Sequence, residues 1–208
     1  MNNRIASGFD FLAPVYDGLA RRVIGKAMIA SQLHFIPRFA QCNRLLILGG
    51  GSGWLLNHVC AANPDLEIDY IDVSFRMLRM AERRVNKNQR ITFIQGTEDS
   101  IQDRHYDAVL TNFYLDMFDE NGLKEVLQKI KKSVAGHVLW LATDFVNERV
   151  ADSIRLWLMY RFFRIITCIK ARHLPDWQEQ MQHAGFELSD QKKFNNGFIV
   201  SNVYTLLK

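Results

Sequence analysis

Between residues 44 and 145, the sequence repeatedly places a short apolar run before an amphipathic stretch. This alternation is typical of a parallel β-sheet whose two faces are covered by helices. The runs RLLIL and HVLWLAT are apolar throughout, as expected of strands that are buried on both faces. We therefore predict an α/β fold with five strands in this region: Arg44–Leu48, Glu67–Asp72, Ile91–Gln95, Ala108–Thr111 and His137–Thr143.

The last part of the chain has a different pattern. Two strand-like runs, FELSDQKKF and FIVSNVYTLL, are separated by Asn195, Asn196 and Gly197, which tolerate the positive φ of a tight turn. We predict a terminal antiparallel hairpin here, and therefore a mostly parallel sheet of seven strands. A standard dinucleotide-binding fold differs, because its sixth strand is parallel to the others.

Two segments lie outside this alternation. Residues 1–40 are predicted to form a helical N-terminal cap, and residues 147–175 a long helix inserted after strand five. The insertion is apolar but contains arginines at 155, 161 and 164, so we do not expect it to span a bilayer. We interpret it as a lid over a lipophilic or aromatic acceptor, one that could also touch a membrane surface transiently. A homodimer seam or ordinary core packing is the alternative.

Length and composition narrow the classes of function. The 208 residues fit one domain, 1–208. The net charge of +4 comes from basic residues that are interspersed with acidic ones, so we expect no nucleic-acid partner. The cysteines, Cys42, Cys60 and Cys168, are widely spaced, and we expect reduced thiols and no metal site. The first residues lack the apolar run of a signal peptide, which predicts a cytoplasmic protein.

A glycine-rich turn follows the first strand. The string LLILGGGSGWLLNHV places Gly49, Gly51 and Gly53 before a helical pattern that begins at about Trp54. Such glycines allow a ligand to approach the backbone closely, although the turn could also serve only tight packing. A nicotinamide-binding enzyme would normally have a third glycine where Trp54 stands, so the pattern argues against a dinucleotide.

A carboxylate ends the second strand. Asp72 follows the glycines by about twenty residues, where it can accept two hydrogen bonds from ribose hydroxyls. The alternative is that Asp72 caps the next helix, a role for which Ser74 competes. Together, the glycines and Asp72 predict a nucleoside site.

Four strings occur in a fixed order along the chain: LLILGGGSG, YIDVSFRMLRMAERR, ITFIQGTEDS and YDAVLTNFYLDMF. Their order and spacing resemble the motif series of the class I S-adenosylmethionine-dependent methyltransferases, and the resemblance covers about residues 9–207. The opening FDFLAPVYDGLA is similar to the N-terminal cap of the ubiquinone and menaquinone biosynthesis methyltransferases and related small-molecule enzymes. The resemblance implies a Rossmann-like class I methyltransferase fold, S-adenosylmethionine as cofactor, S-adenosylhomocysteine as its product, and a small-molecule acceptor.

The resemblance also implies individual cofactor contacts. It places the methionine part against Gly49, Gly50 and Gly51, and it places Asn112 and Phe113 beside the methionine and the transferable methyl, with Tyr16 closing over the cofactor. At the other end, Asp72 would hold the ribose, Val73 would lie beside the adenine, and Thr97 or Glu98 would reach the adenine amino group. The full implied set is Tyr16, Gly49, Gly50, Gly51, Gly53, Asp72, Val73, Thr97, Glu98, Asn112 and Phe113.

One departure from the family pattern concerns the methionine ammonium. Ile47 stands where the family often has an acid near that group, so the sequence leaves open how the ammonium is held. Backbone carbonyls such as that of Gly49 are one answer.

The acceptor side is less specific. Methyl transfer from a sulfonium is an in-line displacement for which positioning and water exclusion supply much of the rate, so a fixed base is optional. If a base is used, the candidates are Tyr114, Asp116, Asp144 and His173. Their alternative roles are core packing for Tyr114, helix capping for Asp116 and Asp144, and a helix end for His173. A nicotinamide-dependent reductase and a non-catalytic methyltransferase-like binding protein stay open as other functions.

Overall fold

The predicted mixed sheet is present. The computed structural model describes residues 10, 25–86, 89–147 and 174–206, and its seven strands lie in the order β3-β2-β1-β4-β5-β7-β6. Strands β1 to β5 are parallel, whereas β7 is antiparallel to both β5 and β6. The strands are β1 (Arg44–Leu48), β2 (Glu67–Asp72), β3 (Ile91–Gln95), β4 (Tyr106–Asn112), β5 (Val134–Phe145), β6 (Phe186–Phe194) and β7 (Ile199–Leu206).

The first three strands have the predicted bounds, but β4 and β5 are longer than predicted. Strand β5 lies between β4 and β7 and forms ladders with both, so its residues Asp144 and Phe145 are paired although the apolar run has ended. The tight turn predicted at the hairpin is confirmed, because φ is positive at Asn195, Asn196 and Gly197.

Five α-helices connect or flank the strands. They are α1 (Gly25–Leu33), α2 (Leu56–Ala62), α3 (Phe75–Glu82), α4 (Glu120–Ser133) and α5 (Trp177–His183), counted over the described residues only. Helix α2 begins two residues later than the expected start at Trp54. The N-termini of α3, α4 and α5 are capped by the side chains of Ser74, Asp119 and Asp176, each of which accepts a backbone N–H from the first turn.

The core lies on both faces of the sheet, as the apolar strands require. Successive side chains of a strand point to opposite faces, so Leu46 and Leu48 pack with α4 and α5 while Leu45 and Ile47 pack with α2 and the segment before β1. Helix α1, the described part of the predicted N-terminal cap, lies beside β7, where the Ser201 hydroxyl donates to the carbonyl of Ser31 at 2.7 Å.

Several predictions fall outside the described residues. Tyr16 belongs to residues 11–24, and His173 and nearly all of the predicted lid belong to residues 148–173. Among the helices that the structure describes, none combines the length and the apolar character needed to cross a membrane.

A buried polar cluster at the other edge of the sheet gives a stability test. Asp69 is 1% exposed, and its carboxylate accepts the Tyr106 hydroxyl at 2.5 Å and the Arg104 guanidinium at 3.2 Å. Removing the buried donor leaves a buried oxygen unsatisfied, so Tyr106→Phe should lower the free energy of unfolding by about 1–3 kcal/mol in urea titrations. Arg104→Ala should cost only about 0–1 kcal/mol, because the arginine is 40% exposed. Equal losses in the two variants would contradict this assignment.

Candidate active site

The glycine loop turns back over the end of β2. The N–H groups of Gly49 and Gly50 both point to the carbonyl oxygen of Ile71, at 2.9 and 3.4 Å, and φ is +64° at Gly49 and +65° at Gly51. These angles lie in the left-handed region, which strongly favours glycine. A Cβ on Gly49 would lie 2.5 Å from the ring of Tyr114, whereas a Cβ on Gly51 would meet nothing within 4 Å. The loop is therefore packed at Gly49 and open at Gly51.

Tyr70 supports the loop from below and was not identified from the sequence. This buried residue of β2 donates its hydroxyl to the carbonyl of Gly51 at 3.0 Å, and its ring lies so close that a Cβ on Gly50 would approach it to 2.1 Å. The available signal was a tyrosine inside a strand predicted to be buried, since a buried tyrosine hydroxyl needs a partner.

Asp72 joins the glycine loop to the loop after β2. One carboxylate oxygen accepts the N–H of Gly51 and the other accepts the N–H of Ser74, both at 2.8 Å. Each oxygen keeps a second lone pair for another donor. The pKa of Asp72 is raised to about 6, chiefly by burial and to a smaller extent by the nearby charge of Asp10, against the opposing effect of these two N–H groups. Ser74, rather than Asp72, caps α3, so the structure brings Asp72 and the glycines together as predicted.

Asp10 is a second residue near this site that sequence reasoning missed. Its carboxylate accepts the Ser74 hydroxyl and, at 3.0 Å, the backbone N–H of Arg76. Asp10 thus contacts the start of α3, beside Asp72.

A cavity of about 250 Å³ lies between the glycine loop and α1. The residues predicted at the methionine end all line it: Gly49, Gly50, Gly51, Asn112 and Phe113. The predicted cofactor residue Gly53 lines it too, together with Ile47 and with Met28 and Gln32 of α1. The residues predicted at the adenosine end, Asp72, Val73, Thr97 and Glu98, are not part of this lining. The described lining contains one charged side chain, Arg84, which donates to the Ser52 hydroxyl at 3.2 Å.

Thr97 and Glu98 already have protein partners. The Thr97 hydroxyl accepts the N–H of Asp99 at 3.4 Å, and the Glu98 carboxylate accepts the Tyr114 hydroxyl at 3.2 Å and lies 3.6 Å from the Lys129 ammonium. Their proposed contact with an adenine amino group stays a prediction.

The candidate bases on the β4 and β5 ends are buried supports of the site. One oxygen of Asp144 accepts the N–H groups of Tyr114, Leu115 and Asp116 at 3.0–3.2 Å, and the other accepts its neighbour's N–H. This carboxylate holds the loop after β4 in place. None of Tyr114, Asp116 and Asp144 is among the described residues that line the cavity, and a role as base stays a prediction for each.

Burial also sets the acidity of these groups. It raises the pKa of Asp116 to about 7 and that of Asp144 well above its usual value, the latter also through the nearby charge of Asp116. The pKa of Tyr114 is raised well above 10 by burial and by the charge of Glu98. Tyr114 is therefore a poor base at neutral pH, whereas Asp116 titrates near it.

Three aromatic rings stand beside the cavity. Phe113 follows β4 with a φ of +52°, which is unusual for a bulky residue, and its ring lies 4.7 Å from that of Phe145, which lies 5.0 Å from that of Phe198. We call Phe113, Phe145 and Phe198 the aromatic wall. Only Phe113 was identified from the sequence, because the other two join it through strand pairing distant in the chain. A strained backbone held by packing is common at functional sites.

No group of three or more histidine, cysteine, aspartate or glutamate side chains suited to a metal ion occurs within residues 10, 25–86, 89–147 and 174–206.

Sequence comparisons agree with this geometry. Residues 46–136 match a family model described as a methyltransferase domain. The chain is 28% identical over 145 residues to a malonyl-[acyl-carrier protein] O-methyltransferase of Bacillus cytotoxicus, an alignment that covers 70% of this chain and 48% of the relative. The relative of the same name in Halalkalibacterium halodurans is 31% identical over 81 residues, covering 36% of this chain and 30% of the relative. The chain thus spans about half the length, or less, of the curated relatives it matches.

Solved structures share the fold at low identity. A structure titled DhpI-SAH complex has a TM-score of 0.75 at 15% identity and covers 100% of this chain and 98% of its own. The 1,6-didemethyltoxoflavin-N1-methyltransferase of Burkholderia thailandensis, solved with S-adenosylhomocysteine and its acceptor, has a TM-score of 0.69 at 13% identity, covering 97% and 87%.

The contrast between Gly49 and Gly51 yields a paired test of the loop. Gly51→Ala introduces only backbone strain, and should lower the free energy of unfolding by about 1 kcal/mol. Gly49→Ala adds a collision with the buried Tyr114 ring, and should cost about 1–3 kcal/mol more. Urea unfolding of both variants checks this order, and a loss at Gly51 as large as that at Gly49 would contradict the described packing.

Four observations agree with the resemblance to methyltransferases. They are the order of the strands, the glycine loop that Asp72 fixes, the matched domain and the shared fold. Proteins of this class use S-adenosylmethionine as methyl donor. Residues 46–136 thus resemble a methyltransferase domain, and the chain has the Rossmann-like fold of class I S-adenosylmethionine-dependent methyltransferases.

Proposed function

We propose that this chain transfers the methyl group of S-adenosylmethionine to a small lipophilic or aromatic acceptor. The observation that carries the proposal is a single cavity that contains both the open glycine loop and Phe113 of the aromatic wall. A cofactor held on the loop and an acceptor held on the wall would therefore be neighbours, which is the main requirement of an in-line transfer.

The residues present fit this cofactor. Gly51 leaves open space above the backbone, Asp72 has two lone pairs free for the ribose hydroxyls, and the Asn112 amide oxygen has no described partner. When bound, the cofactor supplies an electrophilic methyl on a sulfonium, and S-adenosylhomocysteine is the product. The chain's own residues orient the two reactants and exclude water.

The aromatic wall supports the acceptor class. Phe113 and Met28 line the cavity and give it an apolar side suited to an aromatic or lipophilic molecule. The Phe113 ring is backed by the buried ring of Phe145, which packs in turn on Phe198, both pairs in a tilted arrangement. The name of the Bacillus relative refers to a malonyl group on an acyl carrier protein. An uncharged acceptor suits this apolar wall better than a malonyl carboxylate, which would lose its hydration there.

Three further expectations remain predictions from the sequence. Contact with a membrane surface and homodimerisation both depend on the inserted segment, most of which lies outside the described residues. A cytoplasmic location is likewise a prediction.

Cofactor binding and its dependence on pH test the first half of the proposal. Asp72 accepts ribose hydroxyls best as a carboxylate, which predominates above its pKa of about 6. Calorimetry should therefore detect S-adenosylhomocysteine binding at pH 7–8, and an affinity about tenfold weaker at pH 5, since one linked proton changes affinity by about tenfold per pH unit. Asp72→Asn should bind weakly and with little dependence on pH over this range.

The opposite results would be informative. Absence of binding to folded protein at about millimolar ligand would remove the cofactor assignment, and quenching of NADH fluorescence would then favour the nicotinamide-dependent reductase. Unchanged affinity in Asp72→Asn would remove Asp72 from the ribose site. Tight cofactor binding without turnover of any acceptor would favour the non-catalytic alternative.

A panel of acceptors tests the second half. Methyl transfer to phenols, quinols or nitrogen heteroaromatics is expected, and Phe113→Leu should raise the KM of such an acceptor about tenfold, an effect of ~1.4 kcal/mol that matches the loss of one aromatic contact. The affinity for S-adenosylhomocysteine should change less than about twofold. Phe75→Leu is the matched control, because Phe75 is 55% exposed on α3. Transfer only to a malonyl thioester would overturn the proposed acceptor class.

A further inference from the structure

Helix α1 forms the side of the cavity opposite the glycine loop. Its lining residues are Gly25, Met28, Ile29 and Gln32, and this spacing of i, i+3, i+4 and i+7 places them on one face of the helix. Gln32 carries the one polar side chain of that face, and it is only 8% exposed. A buried amide on an otherwise apolar face needs a physical reason.

The amide of Gln32 adds little to the packing of α1. Its Nε2 donates to the carbonyl of Met28 at a long 3.4 Å, and the same carbonyl already accepts the Ser31 hydroxyl at 2.8 Å. The helix is held to the sheet by Ser201 instead, whose hydroxyl donates to the carbonyl of Ser31 and accepts the Thr143 hydroxyl at 3.0 Å. Burial of the Gln32 amide is therefore unfavourable unless a ligand uses it.

The Oε1 atom of Gln32 is within reach of a ligand. It has no hydrogen-bond partner among the described residues, and it is not one of the atoms that the protein shields from solvent. Other polar side chains of the lining are engaged or shielded. Ser52 and Arg84 are hydrogen-bonded to each other, the Tyr70 hydroxyl donates to the glycine loop, and the Asn112 amide oxygen is shielded. The α1 side of the cavity thus presents an accessible oxygen that can accept a hydrogen bond.

The position of this oxygen favours contact with the methyl acceptor over contact with the cofactor. Met28 lies one turn before Gln32 on the same face and packs with the aromatic wall, which the proposed function assigns to the acceptor. The cofactor would lie across the cavity, on the glycine loop.

We propose that Gln32 selects acceptors that carry a second hydrogen-bond donor, a hydroxyl or ring N–H other than the atom that is methylated. This inference rests on the proposed function. Oε1 accepts the second donor, and an analogue in which a methyl group caps that donor leaves the amide unpaired. Gln32 is in this sense a specificity-determining residue and not a base, because a neutral amide takes up no proton at neutral pH.

Six acceptors test the inference: catechol, resorcinol, hydroquinone and the monomethyl ether of each. The measurement is kcat/KM with saturating S-adenosylmethionine, for the wild-type chain and for Gln32→Met, which has a similar length but no amide. Gln32→Met should lower kcat/KM about tenfold for at least one dihydroxybenzene, chiefly through KM, as expected of one lost hydrogen bond. For the matching ether, the change should be less than about twofold.

Two further variants serve as controls. Gln32→Glu keeps an oxygen at the same reach and should retain the preference for that dihydroxybenzene over its ether. Lys26→Met should change none of the six values, because Lys26 is exposed on α1 and is not part of the cavity lining. Gln32→Met should also bind S-adenosylhomocysteine within about twofold of wild type and keep the wild-type urea midpoint, whereas loss of a structural glutamine would lower the midpoint.

The outcomes separate this inference from the proposed function. Equal changes for the dihydroxybenzenes and their ethers, a tenfold loss of S-adenosylhomocysteine affinity in Gln32→Met, or a failure of that variant to fold would each overturn the role of Gln32. The proposed function would stand in those cases, because the wild-type chain still methylates the phenols. If the wild-type chain binds S-adenosylhomocysteine but methylates none of the six, the phenolic acceptor class fails and the inference fails with it.

Discussion

The site depends first on one buried carboxylate. Asp72 uses its two oxygens to bind the N–H of Gly51 and the N–H of Ser74, and so fixes the distance between the loops that follow β1 and β2. The left-handed glycines make this contact feasible, because they turn the N–H of Gly51 towards β2. The energetic cost is visible in the raised pKa of Asp72, which burial sets against two favourable hydrogen bonds.

The loop after β4 is held by the same kind of interaction. Asp144, at the end of β5, accepts hydrogen bonds from three consecutive N–H groups. In the resulting turn, the Tyr114 ring packs against Gly49. Two buried acids, on the ends of the strands that flank β1 and β4, thus hold the loops on both sides of the glycine loop. These contacts hold the described loops around the cavity in place, and the packing around Phe113 supports its strained backbone.

Much of this arrangement is predictable from local pattern. The bounds of β1, β2 and β3 follow from apolar runs that end in polar or glycine residues, and the pairing of Asp72 with the glycines follows from the adjacency of parallel strand ends. The supporting contacts are not predictable in this way. Tyr70 and Asp144 look like ordinary core and capping residues until the strands are aligned, and Phe198 reaches Phe145 only through the antiparallel ladder between β7 and β5.

The position of β7 has a consequence for the order of assembly. It is the last strand in sequence, yet it lies between β5 and β6, so β5 presents an open and largely apolar edge until β7 arrives. Open edges of this kind favour association with other chains. The strands around the glycine loop pair within neighbouring βαβ units, whereas the aromatic wall, which includes Phe198, needs the slower pairing of β5 with the distant β7.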